Sequence, residues 1–292
     1  MHQSGFVNII GLPNVGKSTL LNALLGTKLS IVSPKAQTTR KRILGIFNHK
    51  KCQIVFGDTP GILQPAYKMQ ETMTAAIKES MEDADVLIYL LEPGMNEAVA
   101  AGWMQMIKTK APIFVVINKV DLIGEGMLEM KLNYWRNHPG VAEVLGVSAL
   151  ESYNLNELIE KILKYLPEAE AYFPKDDISD RNVRFFAGEM VREKIFLQYK
   201  DEIPYHSDVM VTEYKEKPDI DVIKATVIVN RETHKGIIIG KNGTALKKLG
   251  TAARKEIEAF VGKKVFLELT IKVQENWIQS EAKLKRLGYI ND

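Results

Sequence analysis

Apolar positions fall into two textures along the 292 residues. In the first, short unbroken apolar runs alternate with helical patterns: FVNIIG, a helix opening at Lys17, CQIVFGDTPG, VLIYLLEPG, a helix near Ala98 to Lys110, PIFVVINKVD, EVLGVSA, and a helix from Leu155 to Leu166. Apolar runs of roughly four to eight residues between helices mark strands buried on both faces. Residues 1–170 therefore predict an α/β domain, a mostly parallel sheet covered by helices. In such a sheet, ligands sit beyond the carboxyl ends of the strands.

After Leu166 the pattern stops. PEAEAYFPKDDISDR is rich in proline and acid and has no usable period, so residues 171–182 predict a linker. From Val183 a second texture begins. FFAGEMVREKIFLQY reads as a helix, SDVMVTEY and VIKATVIVNR alternate as strands, and GIIIGKNGTALKKLG sets a glycine turn between helical flanks. VFLELTIKV is a further strand, and a closing helix starts at Asn276. Residues 183–292 thus predict a smaller α+β domain.

Composition narrows the setting. The N-terminus MHQSGFVNII lacks a basic segment ahead of a long apolar stretch, and runs such as Ala111 to Ile117 are far shorter than the roughly 18 residues that span a bilayer. A single cysteine, Cys52, excludes an intramolecular disulfide and suits a reducing cytosol, where it reads as a small buried apolar residue. The expected location is cytoplasmic. The net charge of +3 becomes informative when divided: residues 1–170 balance 17 Lys+Arg against 17 Asp+Glu, whereas residues 235–264 hold 8 against 2. That local excess, around the second glycine turn, points to a polyanion.

The chemistry starts at Gly11-Leu-Pro-Asn-Val-Gly16-Lys17-Ser18, which matches G-x-x-x-x-G-K-[ST] between a strand and a helix. Its glycines let backbone N–H groups wrap phosphates, Lys17 neutralises β/γ-phosphate oxygens, and the Ser18 hydroxyl takes a position on Mg²⁺. Asn14, Val15, Gly16, Lys17, Ser18 and Thr19 are the candidate phosphate loop. Asp58-Thr59-Pro60-Gly61 ends another strand, setting Asp58 beside the metal and Gly61 where a γ-phosphate would lie. Asn118-Lys119-Val120-Asp121 ends a third. Asp121 can accept two hydrogen bonds from the N–H groups of guanine but would oppose a lone pair of adenine, so guanine is favoured. Lys119 can lay its stem over the base, Asn118 can bond the N7 edge and brace the phosphate loop, and Ser148-Ala149 fits the role of a backbone N–H to the guanine oxygen.

These four motifs, in this order, resemble those of the translation-factor-related GTPases. The resemblance implies GTP hydrolysis to GDP, with a conformational switch and one more element, a threonine in a mobile loop. IVSPKAQTTRKRI offers Thr38 and Thr39, of which Thr39, directly before Arg40, is the better match. The implied roles are Lys17, Thr39 and Gly61 in catalysis, Ser18 and Thr39 as direct Mg²⁺ ligands, and Asp58 through water. One position departs from the Ras-type pattern: Ile62 stands where a glutamine orients the attacking water. Hydrolysis is then slow, or the water is held by backbone, by a monovalent cation or by a partner. Asn14 occupies the place where some related GTPases with an apolar residue there hold K⁺.

The second glycine loop has no Ser or Thr after Lys241, and no DxxG or NKxD follows it. Gly240-Lys241-Asn242-Gly243 fits instead the GxxG turn that clamps a nucleic-acid backbone. Leu246, Leu249, Ala253, Ile257 and Phe260 recur at helical spacing as a core face, while Lys247, Lys248, Arg254 and Lys255 lie on another. With the order helix, strand, strand, helix, helix, strand, this resembles a type II KH domain. The expected RNA contacts are Gly240, Lys241, Asn242, Gly243, Lys247 and Lys248.

A GTPase with TTR in its switch, isoleucine after DTPG and a KH domain resembles the Era family of ribosome-assembly GTPases over essentially the whole chain. That resemblance implies binding to the 3′ end of small-subunit ribosomal RNA and to the small subunit, by a monomer that also meets the inner face of the cell membrane. Two other readings stay open: a constitutive RNA-binding subunit whose nucleotide site only stabilises the fold, and a membrane-surface regulator whose basic face meets anionic lipid.

Overall fold

The computed structural model describes residues 2–290 and divides into two units. The first comprises the chain up to Gln64 together with Met73–Asp180. Its sheet is built from β1 (Gln3–Ile10), β2 (Ile43–His49), β3 (Cys52–Asp58), β4 (Val86–Leu91), β5 (Ile113–Ile117) and β6 (Val141–Gly146), in the order β2-β3-β1-β4-β5-β6. All neighbours are parallel except β2, which pairs antiparallel with β3. Strands β3 and β4 are buried along their whole length, as their unbroken apolar runs require.

Helices α1 (Lys17–Leu25), α2 (Lys68–Glu82, of which the part from Met73 onward belongs here), α3 (Glu97–Met104), α4 (Glu125–Arg136) and α5 (Leu155–Leu163) complete this unit. The Asn96 side chain caps α3 by accepting from the N–H groups of Ala98 and Val99. The helix expected to reach Lys110 stops at Met104, because the chain tightens into i→i+3 bonds from Met106 to Trp103 and from Ile107 to Met104. The helix expected to reach Leu166 likewise ends at Leu163, with Tyr165 bonded back to Ile162. One apolar cluster joins Ile10, Tyr89, Ile117, Leu132 and Trp135 between sheet and helices. Burying side chains of this size stabilises by about 1.5–3 kcal/mol each.

The stretch expected as a linker has fixed partners as far as Asp180. The Ile46 N–H donates to Ile178 O, the Ser179 hydroxyl donates to Leu44 O at 2.6 Å, and the Phe173 N–H donates to the Gln53 side chain. Low hydropathy hid this segment, because its attachment is polar and made largely by backbone.

The second unit comprises Pro65–Thr72 and the chain from Arg181 onward. It runs α6 (Val183–Gln198), β7 (Ser207–Lys215), β8 (Ile220–Val229), α7 (Glu232–Ile239), α8 (Thr244–Val261), β9 (Lys264–Val273) and α9 (Glu281–Arg286). β8 is central, antiparallel to β7 and parallel to β9. This is the order expected of the KH unit. Phe186, Val191, Ile195, Ile223, Val227 and Ile257 are buried in it, and a smaller cluster gathers Met69, Ile228, Trp277 and Leu284. Among the described residues, no helix is long and apolar enough to cross a membrane.

Candidate nucleotide and RNA sites

The phosphate loop follows β1, as the parallel sheet dictates, and leads directly into α1. Gly16 takes φ 98°, and a Cβ there would lie 2.3 Å from the Asn118 amide nitrogen, so only glycine fits. Asn118 braces this loop as expected: its amide donates to Val15 O at 2.9 Å and accepts from the Ala149 N–H at 2.9 Å. That second bond ties Ala149 to the base-reading motif, while the Ser148 N–H donates to Tyr153 O at 3.2 Å.

Lys17 is buried, with its ammonium donating to Leu12 O at 2.8 Å and Gly11 O at 3.1 Å. Burial pushes its pKa down to about 8, partly opposed by the Asp58 carboxylate. Phosphate oxygens would supply the counter-charge that the carbonyls supply only as dipoles. Gly61 is wedged against the same loop, where a Cβ would meet Pro13 at 2.8 Å, and the Ile62 N–H donates to Gly11 O at 3.0 Å.

Three candidate metal ligands converge. The Ser18 hydroxyl lies 2.8 Å from the Thr39 hydroxyl and donates to Asp58 Oδ2 at 2.7 Å, while Thr39 reaches the same oxygen at 3.3 Å. Thr38 instead bonds Ser33 and Lys35 O, so geometry favours Thr39 of the two threonines. Asp58 is fully buried, burial pushes its carboxyl pKa up, and its Oδ1 has no hydrogen-bond partner. An orphaned carboxylate oxygen beside two hydroxyls is a donor set that suits Mg²⁺, which takes one or two carboxylates and completes its shell with water and substrate phosphates. Among the described residues no cluster of three His, Cys, Asp or Glu competes for that role.

The cavity beside these groups has a volume of about 290 Å³ and is lined by the phosphate loop, switch-loop residues between positions 31 and 39, Gly61 and Lys119. Asp121 is exposed in a short turn after β5, clear of the core and available to a base. Glu92, which sequence reasoning missed, pairs with Lys119, whose ammonium also donates to Asn14 O at 2.8 Å. Its only signal was an acid placed directly after β4.

In the second unit, Gly240 and Gly243 adopt φ 71° and 74°, and Asn242 lies at φ 52° between them. A Cβ on Gly240 would lie 2.6 Å from that of Ala245. Lys241 and Asn242 are exposed on this turn, and α8 starts immediately after it. Lys247 and Lys248 share a surface with Thr244, Thr251 and Lys255, whereas Arg254, expected on the same face, is committed to Glu258 at 2.8 Å. Leu249, Ala253 and Ile257 are buried as expected, with Leu246 and Phe260 half-buried.

Strand-end motifs on a parallel sheet, joined to an α-β-β-α-α-β unit with a GxxG turn, define a P-loop GTPase carrying a KH domain. Residues 6–119 match the family described as 50S ribosome-binding GTPase, and residues 202–278 match the KH domain family. "GTPase Era" of Ruminiclostridium cellulolyticum is 41% identical over 99% of this chain and 98% of that protein, and "GTPase ERA-like, chloroplastic" of Oryza sativa is 42% identical over 99% and 70%. The chain belongs to the Era family of GTPases. Among solved structures it resembles Era in complex with MgGDPNP and nucleotides 1506–1542 of 16S ribosomal RNA, with a TM-score of 0.92 and 41% identity over the whole of both chains. An Aquifex aeolicus Era variant bound to GDP·AlF4⁻ also matches with a TM-score of 0.92, at 42% identity over 99% of this chain and all of that one.

Proposed function

We propose that this GTPase is a cytoplasmic, monomeric switch in small-subunit assembly, which grips the 3′ end of small-subunit ribosomal RNA through its KH unit and does so according to the nucleotide held. The observation that carries this reading is the meeting of Thr39 with Ser18 and Asp58, because it ties the switch loop to the point where a γ-phosphate and its metal would sit. The RNA assignment is supported by the exposed GKNG turn and by the ribosomal RNA bound in the similar Era structure.

In this reading, N–H groups from Val15 to Thr19 cradle the phosphates at the start of α1, and Lys17 neutralises their oxygens. Ser18, Thr39 and Asp58 would hold Mg²⁺, which would supply positive charge to offset what develops in phosphoryl transfer. Asp121 accepts from guanine, Lys119 lies against the base, and Gly61 senses the γ-phosphate. RNA affinity measured with GDPNP and with GDP should differ. Equal affinities would leave a constitutive RNA-binding subunit, and vesicle binding that RNA fails to compete away would favour a membrane-surface regulator.

Asn14 is the residue proposed to ligate K⁺. Its backbone carbonyl accepts from the Lys119 ammonium, and its side-chain oxygen is the proposed ligand. K⁺ should stimulate hydrolysis over Na⁺ by roughly tenfold, equivalent to about 1.4 kcal/mol of transition-state stabilisation. Asn14→Gly keeps the φ of 66° accessible while removing the ligand, so it should abolish most of the difference. Equal parental rates in the two salts, at matched ionic strength, would sink this assignment.

A further inference from the structure

Hydrolysis joins a water oxygen to the γ-phosphorus as the bond from that phosphorus to the β–γ bridging oxygen breaks. GDP leaves with the electron pair, and the water's proton passes to phosphate or solvent. The water must be held in line, on the side of the γ-phosphate away from GDP. Ile62 cannot hold it: its side chain packs against the apolar cluster of Tyr89 and Ile117, and its N–H is engaged by Gly11.

The cavity's hydroxyls have structural or metal-binding roles. Ser33 and Thr38 bond each other at 2.6 Å, and Thr59 donates to Ile9 O at 2.7 Å. Ser18 and Thr39 converge on Asp58, and lysine ammonium groups donate without accepting. Asn14 and Thr19 belong to the phosphate loop and the first turn of α1, the side from which the GDP phosphates are gripped. Gln37 lines the cavity from the switch loop, two residues before Thr39. Its φ of 60° is the left-handed conformation that L-residues seldom take, and held conformations of this kind gather at functional sites.

We propose that Gln37 is a catalytic residue, whose side-chain amide accepts from the attacking water and donates toward the γ-phosphate, a role that Ile62 cannot fill. An amide carries both a donor and an acceptor and stays neutral, so it can orient water without being consumed. This assignment rests on the reading of the cavity as the GTP site.

Gln37→Gly in the full chain is the decisive variant, because glycine accepts the backbone conformation and removes only the side chain with its amide. Single-turnover hydrolysis at saturating GTP should fall on the order of 10²-fold, while GTP affinity stays within about twofold. Gln37→Glu, which still accepts from water, should retain more activity and acquire a pH–rate profile with a new carboxylate limb. A Gln37→Gly protein that hydrolyses at the parental rate would overturn the proposal. So would a loss of rate matched by an equal loss of affinity, the mark of a loop that merely closes the cavity. Failure of the parent protein to bind GTP would bring down the nucleotide assignment together with it.

Discussion

Replacing Lys241 and Asn242 together by aspartate should lower affinity for a single-stranded RNA at least about 100-fold while leaving GTP turnover unchanged. Both side chains are exposed on the turn between α7 and α8, so the exchange disturbs no buried contact. Aspartate tolerates the left-handed φ of 52° that Asn242 holds, and the flanking glycines keep their geometry. What changes is the field: one cation is lost and two carboxylates appear where the turn must meet phosphates, at the N-terminus of an 18-residue helix. RNA titrations across a range of salt read the effect directly, since fewer phosphate contacts also flatten the salt dependence. RNA binding retained at parental strength throughout would refute the KH turn as the contact.

Asp121→Asn should weaken GTP on the order of 10³-fold and allow xanthosine triphosphate to bind in its place. The carboxylate is held in the turn Val120–Leu122, which β5 presents and which the Val120 N–H fastens to Val147 O. Guanine offers two N–H donors to that position, and a charged acceptor meets both. An amide loses the charge and turns one acceptor into a donor, which clashes with the amine of guanine and matches the oxygen that xanthine carries there. Because Asp121 is exposed, the exchange leaves the core intact, and melting of the nucleotide-free protein should not shift. Competition between the two triphosphates measures the switch, and undiminished GTP affinity would mean that the base is read elsewhere.

The parts of this protein legible in its sequence were those whose physics is local. β1, β3, β4 and β5 are largely buried on both faces and read as apolar runs, and each nucleotide motif is a short stretch at the end of such a strand. Less regular elements escaped. β2 is an edge strand with half-exposed residues, and α2 and α4 are polar helices with few buried positions. The missed contributor to the site is one that only folding brings into place. Glu92 meets Lys119 across 27 positions. No spacing rule could have found it, since the partner is chosen by the order of strands in the sheet.

The polar attachments of residues 173–180 bear on where the first unit can be cut. β2 has β3 on one side, and on its other side it is met by this segment, through Gly45 opposite Ser179 and the bonds at Leu44 and Ile46. A fragment ended at residue 170 would lose those partners and present bare ladder groups to solvent, an invitation to strand addition from a neighbouring molecule. Ending it after Asp180 would keep the border sealed, so a short polar segment without periodicity decides whether the isolated fragment stays in solution or self-associates.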